Sequence, residues 1–220
     1  MMELKKYTFI ILLLTIGFSG VKAQEKADGR TYYDKMKSSL YTLNNAGNFE
    51  TFNMVSRQLK KIADEEKTKW IPFYHASYAY LMAAFLAKEK YTIEDLVNQA
   101  QNMLDKANKL SPNNDEINAL QGFIFQGRMI NKEGKDVYKW AQKAVKEFDH
   151  ARFINPNNPR PYYLLGQILY RLPPGFGGNK ESACHHFIDA QKKYKSFKPK
   201  SEFSPNWGEA ANTTMLHKCK

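Results

Sequence analysis

The sequence predicts an all-α protein: a solenoid of about four helix-turn-helix repeats closed by a C-terminal capping helix. Three observations carry that expectation. A motif of Ala, one large apolar residue and Ala appears as Ala100-x3-Leu104-x2-Ala107 and again, 44 residues on, as Ala144-x3-Phe148-x2-Ala151. A third copy, Ala183-x3-Phe187-x2-Ala190, follows after a further 39 residues. Gly122 and Gly166 keep the same 44-residue spacing, and Pro112-Asn113-Asn114 and Pro156-Asn157-Asn158 close the first two copies.

Positions i, i+4 and i+7 make one stripe on a helix. Two Ala around a large side chain let a second helix come close while the large residue fills the gap. A Gly in the partner helix serves the same approach, at about 1 kcal/mol of helix propensity relative to Ala. Pro112 and Pro156 cannot continue a helix and push the residues before them out of helical dihedrals. The Asn pairs that follow form turns and N-caps.

A weaker early copy, Val55-x3-Leu59-x2-Ile62, marks the second helix, and Phe73, Ala76, Ser77 and Tyr80 mark the third. The periodicity predicts helices near 31–45, 49–67, 70–88, 93–110, 114–130, 135–154, 160–171 and 179–195. The cap is expected near 207–217, with Trp207 as the apolar lid of the C-terminal end.

The first 23 residues read differently. Lys5 and Lys6 precede an apolar run from Tyr7 to Gly17, and Val21-x-Ala23 stands before Gln24. That is the layout of a secretory signal peptide cleaved after Ala23. The run is about 11 residues, against the roughly 20 that a spanning helix needs. Residues 24–220 are then one domain, in the periplasm or outside the cell, with no transmembrane segment expected.

The chain has 220 residues and a net charge of +11; removing the leader takes three lysines and one glutamate and leaves +9. Such a balance suits an acidic partner, acidic glycans or anionic head groups. Export argues against nucleic acid. Most of the charge is spread over helix faces, as at Lys139 and Lys143; only Lys192 to Lys200 forms a compact run.

Candidate chemistry is sparse. Cys184-His185-His186 and His217-x-Cys219 hold metal-ligating types, but not at finger spacing. In an oxidising compartment a Cys184–Cys219 disulfide is the favoured reading, with two inert thiols as the other. Pro173 to Lys180 is glycine-rich but lacks the Gly-Lys-Ser/Thr ending of a phosphate loop, so it reads as a turn capped by Asn179. Asn212-Thr213-Thr214 fits a glycosylation acceptor by pattern alone. No hydrolase, metalloprotease or dinucleotide motif is present, so neither an enzyme nor a cofactor is expected.

The pattern resembles the tetratricopeptide repeat family. Tyr162, Leu165, Gly166 and Leu169 match a first helix; Ala144, Phe148, Ala151 and Pro156 match a second, as do Ala100, Leu104, Ala107 and Pro112. The likeness covers most of residues 31–195, with spacings of 44 and 39 where the family uses 34. The extra residues fall near 88–93, 131–135 and 173–179. Trp70-x-Pro72-x-Tyr74 and Pro205-Asn206-Trp207-Gly208 add a looser likeness to exported bacterial repeat proteins.

The resemblance implies a right-handed solenoid whose first helices line a concave face. On it, Tyr74, Tyr78, Phe123, Gln126, Tyr163, Gln167, Tyr170 and Arg171 are the expected binding residues. The expected function is a scaffold that holds a protein or peptide partner in this Tyr-rich groove. The alternative is a small-ligand-binding accessory subunit, similar to repeat proteins that serve solute transporters.

Overall fold

A computed structural model describes residues 32–219. The leader and the expected cleavage after Ala23 lie outside the described residues. Among those described, the chain forms nine α-helices, one 3-10 turn and no strand. They are α1 (32–44), α2 (Phe49–Glu66), α3 (Trp70–Leu86), α4 (Lys90–Leu110), α5 (Asp115–Gly127), α6 (Gly134–Ile154), α7 (Arg160–Arg171), α8 (Lys180–Ser196) and α9 (Glu209–His217). The 3-10 turn, Pro174–Phe176, sits in the glycine-rich loop before α8.

Caps set the starts. Asn48, Asn114 and Asn179 each accept a hydrogen bond from a backbone N–H in the first turn of α2, α5 and α8. Asn158 does the same from two residues before α7, accepting from the Arg160 N–H while Pro159 holds the cap position.

α3 pairs with α4, α5 with α6 and α7 with α8, while α3, α5 and α7 follow one another as an inner row. This is a helical solenoid with a TPR-like arrangement. The Ala-x3-Φ-x2-Ala stripes lie at the pair interfaces: Ala144, Phe148 and Ala151 are all fully buried, as are Ala183, Phe187 and Ala190. Their glycines receive the large residue. A Cβ on Gly166 would stand 2.6 Å from Cε1 of Phe187, and one on Gly122 would collide with the Phe148 ring. In the α3–α4 pair the equivalent knob is the smaller Leu104, and Ser77 of α3 donates its hydroxyl to the Ala100 carbonyl at 2.8 Å.

The end of the chain departs from expectation. Trp207 does not cap the last repeat. Residues 197–208 leave α8, cross the inner row and return to α9, and Trp207 lies within that row against Tyr74 and Tyr78 of α3 and Phe123 of α5. A Cys184–Cys219 disulfide, with Cα atoms 5.7 Å apart, fastens the segment after α9 to α8. Asn212 is fully buried and donates to the Phe187 carbonyl and Gln191 Oε1, so its glycosylation motif is structural.

Candidate functional site: an aromatic inner face crossed by a strap

The strap of residues 197–208 is held at four places. Tyr33 of α1 donates to Glu202, and Phe203 packs on the rings of Tyr32 and Tyr33. His75 Nε2 of α3 meets the Phe203 carbonyl at 2.8 Å. Arg160 of α7 donates to the Pro205 carbonyl at 2.7 Å. Tyr194 of α8 donates to the Trp207 carbonyl at 3.3 Å. Gly208, at φ +105, lets the chain turn directly into α9, and any Cβ there would collide with the Tyr194 hydroxyl.

The indole of Trp207 organises the surrounding rings. Its Nε1 donates to the Tyr74 hydroxyl at 3.0 Å. Tyr78 stacks on it at 4.7 Å and Phe123 at 5.7 Å, with interplanar angles of 19° and 22°. Phe85 continues the stack onto Phe123 at 5.1 Å. Tyr78, Phe85 and Trp207 remain partly exposed, so the row presents a shelf of stacked rings. Offset stacking of this kind is worth about 0.5–1.5 kcal/mol per pair beyond the area buried.

The expected binding residues separate by depth. Tyr74 is fully buried under Trp207, and burial drives its phenol pKa well above the ordinary value. Tyr163 is buried, its phenol pushed up to about 12 by desolvation, and it accepts a 2.6 Å hydrogen bond from Gln167. Gln126 is buried and donates to the Leu164 carbonyl at 2.9 Å, tying α5 to α7. Phe123 is mostly buried inside the ring stack. Tyr78 and Tyr170 are partly exposed and Arg171 is exposed. Tyr170 leans on Phe187 and carries the Lys180 ammonium 5.5 Å from its ring centre.

A polar cluster beneath the strap was not among the expected residues. Arg160 is fully buried, yet it donates to Glu116 at 2.8 Å and lies over the rings of Phe197 and Trp207. Asp115 accepts from the Asn155 and Asn158 amides at 2.9 and 2.8 Å. Burial raises the Glu116 carboxyl to about 7 in spite of the guanidinium beside it. One signal in the sequence did exist. Arg160 opens α7, at the end where the helix dipole disfavours a cation, so its charge needs a partner.

His75 is the one histidine on the inner-row helices; it is buried, engaged with the strap, and desolvation lowers its pKa to about 4. His150, His185, His186 and His217 sit on α6, α8 and α9. No group of three or more metal-ligating side chains occurs among the described residues, and no described helix is long and apolar enough to cross a membrane.

Helix pairs stacked in register, with an inner face of aromatic side chains, define a TPR-like helical solenoid. No family model matches the chain, and no curated protein matches it. Among solved structures it is similar to the HusA haemophore from Porphyromonas gingivalis, at 25% identity and a TM-score of 0.77, over 86% of this chain and 92% of that one. It also matches two structures of MamA, at 19% and 18% identity and TM-scores of 0.48 and 0.47, over 80% and 78% of this chain and 85% and 77% of those chains.

Proposed function

We propose that this chain is an exported binding protein that carries a flat aromatic small molecule of the tetrapyrrole class on its inner face. The observation that carries the reading is the partly exposed ring shelf of Tyr78, Trp207, Phe123 and Phe85. Such a surface suits a planar π-system, which gains area and stacking without freezing flexible side chains. The likeness to a haemophore over most of both chains supports the same class of cargo. The strap fills the part of the face around Tyr74 and Arg160, which favours a compact ligand over a long peptide. Recognition then rests on the rings, since His75 is already engaged. Tyr170, Lys180 and Arg171 supply hydrogen-bonding and cationic groups at the rim for acidic substituents.

The test is a titration of the mature protein with haem and with metal-free protoporphyrin IX, read by the porphyrin absorption band and by tryptophan quenching. Both should bind with similar affinity. Tyr78→Ala and Phe85→Ala should each weaken binding by about tenfold or more, the equivalent of losing roughly 1.4 kcal/mol. Absence of binding, or binding that needs the iron, would overturn the reading. Intact mass of the exported form should begin at Gln24; a retained Met1 would remove the export assignment.

A second reading keeps a protein or peptide partner, an acidic one being suited to the +9 charge of the chain without its leader. One observation favours it: the inner face already receives a segment of its own chain. Under that reading, loss of Tyr78 or Tyr170 weakens capture of a protein partner, while Lys139→Ala and Lys143→Ala change mainly its salt dependence.

A further inference from the structure

α6 carries a face that the rest of the fold leaves uncovered. Ala144, Phe148 and Ala151 bury one side of it, chiefly against α5. Lys139, Lys146 and Phe153 stand seven residues apart on the opposite side, so they form one stripe. All three are exposed, and Phe153 is 85% exposed although it is a large apolar side chain. A rise of 1.5 Å per residue gives the stripe a length of about 21 Å. α6 is the outer partner of α5, so the stripe lies away from the inner row and its ring shelf.

The end of α8 adds charge beside it. Arg152 of α6 and Lys193 of α8 both lie over the ring of Tyr162, at 5.3 and 4.5 Å from its centre. Lys192 is exposed, and its 3.5 Å pairing with Asp189 is exposed too and therefore weak. The carboxylates nearest the stripe are engaged elsewhere. Glu147 accepts from Asn118 of α5, and Asp149 pairs with Arg152. Lys198 and Lys200 belong to another surface, where they line a cavity with Asp115 and Glu116.

A row of lysines alone reads as a solvated face. Phe153 at its end changes that reading, because water is a poor medium for the ring and cations surround it. A bilayer with anionic head groups answers both needs, with phosphates at its surface and acyl chains just beneath. A soluble acidic glycan would meet the lysines and offer Phe153 nothing. We infer that the outer face of α6, with the end of α8 beside it, is a docking surface for an anionic phospholipid bilayer. Lys139, Lys146, Lys192 and Lys193 meet the head groups, and Phe153 enters the interface. The contact is peripheral, since no described helix is long and apolar enough to cross a membrane. Export supplies its setting, while the test below needs neither export nor a tetrapyrrole.

The experiment sediments the disulfide-intact mature chain, without porphyrin, with vesicles of phosphatidylglycerol and phosphatidylcholine in equal parts. Vesicles of phosphatidylcholine alone are the neutral control, and heparin and polyglutamate are the soluble polyanions. The protein should bind the anionic vesicles, ignore the neutral ones and dissociate near 0.5 M salt, where the Debye length is only about 4 Å. Lys139→Glu/Lys146→Glu should weaken vesicle binding about tenfold or more. Phe153→Ser should weaken it about threefold to tenfold and leave heparin binding unchanged. Lys88→Glu/Lys90→Glu, exposed in the turn between α3 and α4 at the other edge of the stack, should bind within about twofold of the wild type. All substituted side chains are exposed, and circular dichroism checks that each variant stays helical. The inference fails if anionic vesicles are not bound, or if neutral vesicles bind as well. It fails equally if the protein takes the soluble polyanions and Phe153→Ser binds vesicles like the wild type, which would make the stripe a general polyanion surface. A loss from the Lys88/Lys90 variant equal to that from the stripe variant would also overturn it, because the net charge and not this face would then be responsible.

Discussion

Arg160 and Glu116 are 44 residues apart, one full repeat, and their side chains meet at 2.8 Å in the interior. Equivalent positions of α5 and α7 therefore hold each other, and the guanidinium passes the contact on to the strap at Pro205. Arg160→Ala strands the Glu116 carboxylate under the strap. Breaking one side of a buried pair costs about 3–5 kcal/mol. Urea unfolding at pH 8 should register that loss. Adding Glu116→Gln should recover part of it, and no recovery would mean that Arg160 acts through packing alone.

The repeat glycines give a second expectation. Gly166→Ala places a Cβ 2.6 Å from the Phe187 ring and close to the Ala183 carbonyl. Overpacking of this kind costs about 1–3 kcal/mol, or roughly 2–4 °C of Tm per kcal/mol in a chain of this size. Gly47→Ala is the control, because nothing lies within 4 Å of its added Cβ. Circular dichroism melts should separate the two.

Acid response should reveal two opposed groups. Burial depresses His75 to about 4. Its contribution to stability is present above about 6.5 and is lost as pH falls through 4. Burial raises Glu116 to about 7. Its contribution is fully present below about 4.5 and is lost as pH rises through 7. Each is worth on the order of 3 kcal/mol, so they largely cancel between pH 7 and 4. In denaturant titrations across that window, His75→Gln should gain stability toward acid relative to wild type, and Glu116→Gln should lose it. Parallel profiles for the three proteins would contradict both assignments.

Reduction supplies a fourth measurement. The Cys184–Cys219 bridge spans 35 residues and encloses the strap. Closing a loop of that length stabilises by about 3–4 kcal/mol in the chain-entropy picture. A phosphine reductant should lower the Tm by several degrees and raise the hydrogen exchange of α9 first. A Tm indifferent to reduction would show that packing around Phe187 and Asn212 holds α9 unaided.

The solenoid itself could be read in the sequence because its contacts are local and periodic. Ala144, Phe148 and Ala151 declare a helix stripe, and Gly122 declares the partner that receives it. The strap declared nothing comparable. Residues 197–208 have no period, and their partners stand as far away as Tyr33, 169 residues from Glu202. The expected aromatic residues do share the inner row, but which of them face solvent depends on where Trp207 lies. With Trp207 over Tyr74, that phenol is covered, and Tyr78 and Phe85 keep an open edge. Asp115 and Glu116 look in sequence like ordinary first-turn acids of α5. Only the position of Arg160 against its helix dipole hinted that they were engaged.

Ordinary repeat stacks behave like a row of dominoes, each unit answering only to its neighbours. Here one ribbon of chain stitches α1, α3, α7 and α8 together. Inserting or deleting a repeat would change the span that the ribbon must cover, so this architecture is fixed in length where an ordinary repeat stack is free to grow. The seam also closes last during synthesis, because the earliest helices await residues near position 203 before their inner surface is complete. A chain cut before Glu202 should therefore be loosened at its beginning as well as at its end.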